Sequence, residues 1–147
     1  MKSNITLIVL DSNFILLPFQ FKIDYLNEIR NNLEGKLRFI IFQQVLNELK
    51  AKRNREIRST KFKRLLDAGL MYLEKNKGKF EIDFMEDIKD ENESTDDFLF
   101  RKTMEQKDKS HMIFLATNDS DLRRRARLAK LNTIYLRQKK FLVIERT

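Results

Sequence analysis

With 147 residues, the chain has the length of one domain of roughly 100–200 residues, long enough to bury a core without staples. It has no cysteine, which excludes a disulfide scaffold, a thiolate zinc site and a cysteine nucleophile, and its single histidine, His111, excludes any site needing two imidazoles. Three glycines leave no glycine-rich phosphate loop, and the formal net charge of +8 points towards a polyanionic partner.

Residues 6–10 (TLIVL) are a continuous apolar run, the mark of a strand buried on both faces of a parallel sheet. Ile23, Leu26, Ile29 and Leu33 follow at helical spacing, with Gly35 as the stop. Residues 38–42 (RFIIF) read as a second buried strand, leading into a helix that carries Val45, Leu46 and Leu49. Phe62, Leu65, Leu66, Leu70 and Leu73 form the stripe of a longer helix ending near Asn76. Residues 80–84 (FEIDF) alternate like an edge strand, and 86–94 (EDIKDENES) read as a mobile acidic loop. Thr95 is placed as the cap of a helix through about Gln106, and residues 112–116 (MIFLA) as a fourth strand. A helix over 120–130 and strands at 133–136 and 141–144 complete the chain, with His111 as a surface loop residue. This alternation predicts an α/β fold, an open and mostly parallel sheet sandwiched by helices, in one domain over residues 1–147.

The charge is unevenly placed. Residues 49–64 hold eight bases against Glu56, and residues 121–140 hold eight against Asp121, whereas residues 81–97 hold nine acids and one base, Lys89. Two such basic blocks suit a nucleic acid or an anionic membrane surface, and equally a solubilising helix face. No helix shows a broad apolar face left over for a membrane, residues 5–10 are too short for a secretory signal, and no run is long enough to span a bilayer. The expected location is cytoplasmic.

Ligands of open α/β sheets collect at the carboxyl ends of the strands. Asp11 follows the first strand directly and Asp119 follows the fourth by three residues. Asp96 and Asp97 open the helix before the fourth strand, and Glu48 lies early in the helix after the second. In the helix before the fourth strand Asp96 shares a face with Leu99 or Phe100 and Thr103, so Asp96 points inward and Asp97 towards the rim. Carboxylates delivered to one edge by four elements repel unless a cation neutralises them, and oxygen ligands favour Mg2+ or Mn2+. Thr117 and Asn118, with Ser12 and Asn13, stand at the same edge, able to bond the carboxylates or substrate; Ser12 and Asn13 are equally placed to cap a helix.

Four segments in order resemble the PIN-domain nucleases: Asp11-Ser12-Asn13-Phe14 within IVLDSNFILL (8–17), Glu48 within VLNELK (45–50), Asp96 within DDFL (96–99), and Asp119 within LATNDSDLRRR (115–125). The arginine-rich tail of the last, followed by a strand ending in Arg137, is similar to the ribosomal-RNA-processing branch of that family; VapC-type toxins share the acidic set. The resemblance implies a PIN-like fold and a metal-dependent endoribonuclease, acting in RNA processing or as a toxin. Asp11, Glu48, Asp96 and Asp119 are its expected catalytic set, with Asp11, Asp96 and Asp119 as ligands of one or two ions and Asp97 as the substitute for Asp96. Glu48 completes the site or orients the attacking water, and in-line attack leaves a 5′-phosphate and a 3′-hydroxyl. The expected RNA groove is lined by Lys50, Lys52, Arg53 and Arg55 from one helix and by Arg123, Arg124 and Arg127 from another. Expected partners are single-stranded or structured RNA, an antitoxin or a ribosome-assembly protein according to the role, and a second copy of the chain. The alternative is a non-catalytic RNA-binding module of the same fold. A phosphoacceptor receiver needs an acidic pair at residue 11, and a haloacid-dehalogenase-type phosphatase needs D-x-D there; Asp11-Ser12-Asn13 fits neither.

Overall fold

The computed structural model describes residues 3–56, 58–107 and 109–147, with side chains of Ser3, Ser110 and His111 outside the description. In chain order the elements are β1 (Ser3–Leu10), α1 (Ser12–Ile15), α2 (Leu17–Gln20), α3 (Tyr25–Asn32), β2 (Lys36–Phe42), α4 (Gln43–Arg55) and α5 (Thr60–Asn76). They continue as β3 (Ile82–Met85), α6 (Thr95–Lys107), β4 (Ser110–Ala116), α7 (Ser120–Leu128), β5 (Asn132–Arg137) and β6 (Phe141–Glu145). One six-stranded sheet runs in the order β3-β2-β1-β4-β5-β6. All pairs are parallel except β5 with β6, which form an antiparallel hairpin.

The apolar runs are buried as their composition demands. Residues 7–10 of β1, 39–42 of β2 and 113–116 of β4 are all inaccessible to solvent or nearly so, because helices cover both faces of the central strands. Phe42 packs edge-to-face against Phe98 of α6, and Phe14 of α1 against Tyr25 of α3. Gly69 lets α5 cross α1 closely: a Cβ there would lie 2.0 Å from the carbonyl oxygen of Ile15. That contact seats α1, and with it the residues just after Asp11, on the long helix.

Several local expectations differ from the structure. Ser94, not Thr95, caps α6, its hydroxyl accepting from the Asp97 amide at 3.0 Å while Thr95 is already helical. His111 lies within β4 rather than in the preceding loop. Segment 86–94 is tied down along its length: Arg101 forks onto Glu93 with two 2.8 Å bonds, and Lys102 pairs with Asp87 at 2.7 Å. These pairs engage two of the segment's acids, Asp87 and Glu93. At the open edge of the sheet, a Glu28 carboxylate oxygen from α3 accepts the Leu142 amide of β6 at 3.1 Å.

Candidate active site

The carboxyl ends of β1, β4 and β5 are joined by one hydrogen-bond network. The Asp11 amide extends the β1–β4 ladder to Ala116, and the Thr117 amide extends β4–β5 to Ile134. Thr117, fully buried, donates its hydroxyl to Asp11 Oδ2 at 2.7 Å and accepts the Asp119 amide at 3.1 Å. One hydroxyl thus fixes the spacing of the first and fourth acids. The other Asp11 oxygen accepts the Ser12 amide at 2.6 Å, and Asp119 Oδ1 accepts the Leu122 amide at 2.8 Å, so each aspartate caps the helix that follows it. Asn13 donates to Asp11 Oδ2 and accepts the Asn118 amide; Asn118 in turn accepts the Leu136 amide. Asp11 therefore takes the capping role open to Ser12 and Asn13, while Asn13, Thr117 and Asn118 support the carboxylate edge.

Asp96 faces this edge from α6, and Asp97 does not. Asp97 is exposed and pairs with Arg125 at 2.7 Å. Asp96 has no ion-pair or hydrogen-bond partner of its own among the described residues, and its carboxyl is pushed up to about 6. Burial is the largest cause, followed by the nearby charges of Asp119, Asp11 and Glu48; Arg125 partly offsets them. Burial, 4% exposure by area, also raises the Asp11 carboxyl above its ordinary value, opposed by the Thr117 and Ser12 hydrogen bonds. Glu48 is exposed on α4. Asp96 is thus within electrostatic reach of the three other acids, and Asp11 within reach of Asp119.

Their chemistry fits a hard divalent cation: every donor is an oxygen, the mutual repulsion is only partly offset by Arg125, and Asp96 has both oxygens free of partners among the described residues. As placed, no three acidic or histidine side chains among the described residues converge closely enough to hold one ion. The caps and the Thr117 bond hold Asp11 and Asp119 towards the backbone.

A PIN domain family model matches residues 8–137 of this chain. The chain belongs to the PIN domain family. Its structure is similar to that of the PIN domain endonuclease Utp24, with a TM-score of 0.66 and 22% identity over 96% of this chain and 92% of the other. A weaker match is VapBC2 from Rickettsia felis bound to a DNA fragment from their promoter, with a TM-score of 0.40 and 16% identity over 80% and 92% of the two chains. No curated protein matches the sequence significantly. No helix among the described residues is long and apolar enough to cross a membrane.

Within this PIN domain the basic residues divide. Arg123, one turn after Asp119, lies with its guanidinium 4.1 Å from the Tyr135 ring centre and a buried Nε that has no partner. Arg124 is exposed beside Asp121. Arg127 is bonded to Glu145 at 3.1 Å, and Glu145 pairs with Thr133 near the start of β5, so Arg127 lies at the amino edge of the sheet, away from the acids. On α4, Lys50 is exposed, Lys52 covers the Phe62 ring at 4.8 Å, Arg53 approaches Asp67 at 3.8 Å, and Arg55 shares a pocket with Glu48. Phe19 is exposed, while Phe21 is half-buried with Lys139 6.0 Å from its ring centre.

Two supporting residues escape the sequence reading. Gln44, one turn before Glu48 and buried, donates Nε2 to the Thr95 hydroxyl at 3.3 Å and accepts the Lys89 amide at 3.2 Å. It clips the acidic segment and the start of α6 to the helix bearing Glu48. Arg125 holds Asp97 and lies 4.7 Å over Phe100, pinning α7 to α6. The detectable signal for Gln44 was a polar side chain inside the buried stripe of α4.

Proposed function

We propose that the chain is a single PIN domain acting as an endoribonuclease dependent on Mg2+ or Mn2+, cutting single-stranded RNA by hydrolysis in RNA processing or as a toxin. Membership of a nuclease family supports the reaction class. The observation that carries the reading is Asp96, unpaired and raised to about 6 beside Asp11, Asp119 and Glu48. Asp11, Asp96 and Asp119 would hold the ion, which supplies charge neutralisation at the phosphoryl oxygens and a water of lowered pKa. Thr117 keeps Asp11 and Asp119 at fixed separation. Glu48, exposed at the rim, orients the attacking water in line with the leaving 3′-oxygen, leaving a 5′-phosphate and a 3′-hydroxyl. Arg123 and Arg124, with Lys50, Lys52, Arg53 and Arg55, contact the flanking phosphates, so affinity falls steeply with salt. In the toxin role the partner is an antitoxin; in the processing role it is a ribosome-assembly protein.

The rival is an RNA-binding module without cleavage, which the open arrangement of the acids favours. Asp11→Asn separates the two. With labelled single-stranded RNA and Mn2+, the wild type should cut and the variant should bind without cutting, with 5′-phosphate ends on the products. Equal degradation by both proteins would assign the activity to a contaminant and leave the binding module.

A further inference from the structure

We infer that the pocket between α1 and α4 is a nucleobase subsite, receiving the base of the nucleotide next to the cut. The inference rests on the nuclease reading and specifies how the substrate is held. The pocket, about 230 Å3, begins at Ser12 and Asn13, the two residues after Asp11, and Glu48 stands on its rim. It therefore adjoins the acidic edge directly. The larger pocket of about 520 Å3, which includes Glu34 and Arg146, lies at the opposite end of the sheet and has no such neighbour.

The lining has the two characters that a nucleotide requires. Leu16, Leu49 and Phe62 give an apolar floor, while Lys52 and Arg55 bring two positive charges to the rim. Pockets enclosing drug-sized ligands run to roughly 300–1,000 Å3, so this one suits a single planar heterocycle rather than a whole nucleotide. Lys52 now lies over the Phe62 ring, with Nζ 4.8 Å from its centre. An ammonium on a flexible stem is readily exchanged for a stacked base, after which its charge can follow the phosphate. Arg55 has no ion-pair or hydrogen-bond partner among the described residues and is exposed, so it meets that phosphate without breaking a bond. A base reaches such a pocket only when splayed out of a stack, which selects single-stranded over duplex RNA.

The test uses the Asp11→Asn protein, which prevents turnover, and a short single-stranded RNA carrying one abasic residue at each position in turn. Fluorescence anisotropy reads the Kd, and the wild type maps the cut on the intact strand. One abasic position, adjoining the cut, should weaken binding about tenfold, the scale of a single stacked base. Adding Leu16→Trp, which fills the pocket, should weaken the intact RNA by a similar factor, and the abasic residue should then cost nothing further. Arg55→Ala, at an exposed position that leaves folding intact, should reduce the salt slope by about one phosphate contact. An undiminished tenfold abasic penalty in the Leu16→Trp protein would overturn the subsite, as would indifference to abasic residues at every position. A protein that binds no RNA at all would overturn the nuclease reading itself, a result distinct from binding that ignores the bases.

Discussion

Replacing Asp96 by asparagine should stabilise the ion-free protein at neutral pH and flatten its pH dependence. The Asp96 carboxyl is moved from its ordinary 3.8 to about 6 by burial and by Asp119, Asp11 and Glu48, with Arg125 opposing. Between those two values the folded protein holds a proton that the unfolded chain has released. The contribution of Asp96 to stability therefore falls as pH rises from about 4 to 6, and the full penalty persists above. At face value the displacement amounts to about 3 kcal/mol at 1.36 kcal/mol per pH unit. The side chain is only partly buried, so solvent screening leaves on the order of 1 kcal/mol. For a chain of this size that is about 2–4 °C in Tm. Calorimetry without divalent ions should show Asp96→Asn melting higher than wild type at pH 7.5 and level with it near pH 4. Carboxylates held low by cations, Asp87 and Glu93 among them, lose stability in acid but do so in both proteins, so the difference isolates Asp96. A gap that stays constant across this range would show that Asp96 is not charged against its neighbours, and the electrostatic reading of the site would fail.

Mn2+ or Mg2+ at one hundred times its Kd should stabilise the wild type by about 2.7 kcal/mol and Asp96→Asn much less; melting curves unmoved by either ion would remove the metal from the proposal. Thr117→Val strips the hydroxyl shared by Asp11 and the Asp119 amide and should cost about 1–3 kcal/mol in chemical denaturation, whereas Thr117→Ser should stay close to wild type. Gly69→Ala forces a methyl to within 2.0 Å of the Ile15 carbonyl; an overpacking cost of about 1–3 kcal/mol, read calorimetrically, should come with weaker cleavage as α1 shifts beside Asp11.

The central strands were legible because β1, β2 and β4 are buried on both faces, which leaves unbroken apolar runs in the sequence. Asp11 and Asp119 were legible for the same reason, since Asp11 directly follows such a run and Asp119 comes three residues after another, and helical periodicity separated Asp96 from Asp97. Periodicity says which side of a helix faces the core but not how far along the sheet each residue falls. Arg127, two turns along α7, was accordingly grouped with the acids although it is bonded to Glu145 at the other end. The direction of β6 was hidden as well. Its hairpin turns through Gln138 and Lys139, both at positive φ, where an Asn-Gly pair would have announced it. Segment 86–94 looked free because its acids meet Lys102 and Arg101 only once α6 has formed.

The carboxylate that α3 places on the Leu142 amide has a consequence for life at high concentration. The last strand of an open sheet offers its outward amides to any extended chain that arrives, and runaway stacking begins at such places. At β6 an incoming strand would find that donor already held by Glu28 and would have to displace a charge-assisted bond before gaining one of its own. Glu28→Ala leaves the hairpin intact and opens that berth. The variant should gather into ordered, strand-rich aggregates at concentrations where the wild type stays dispersed, with growth proceeding from this edge.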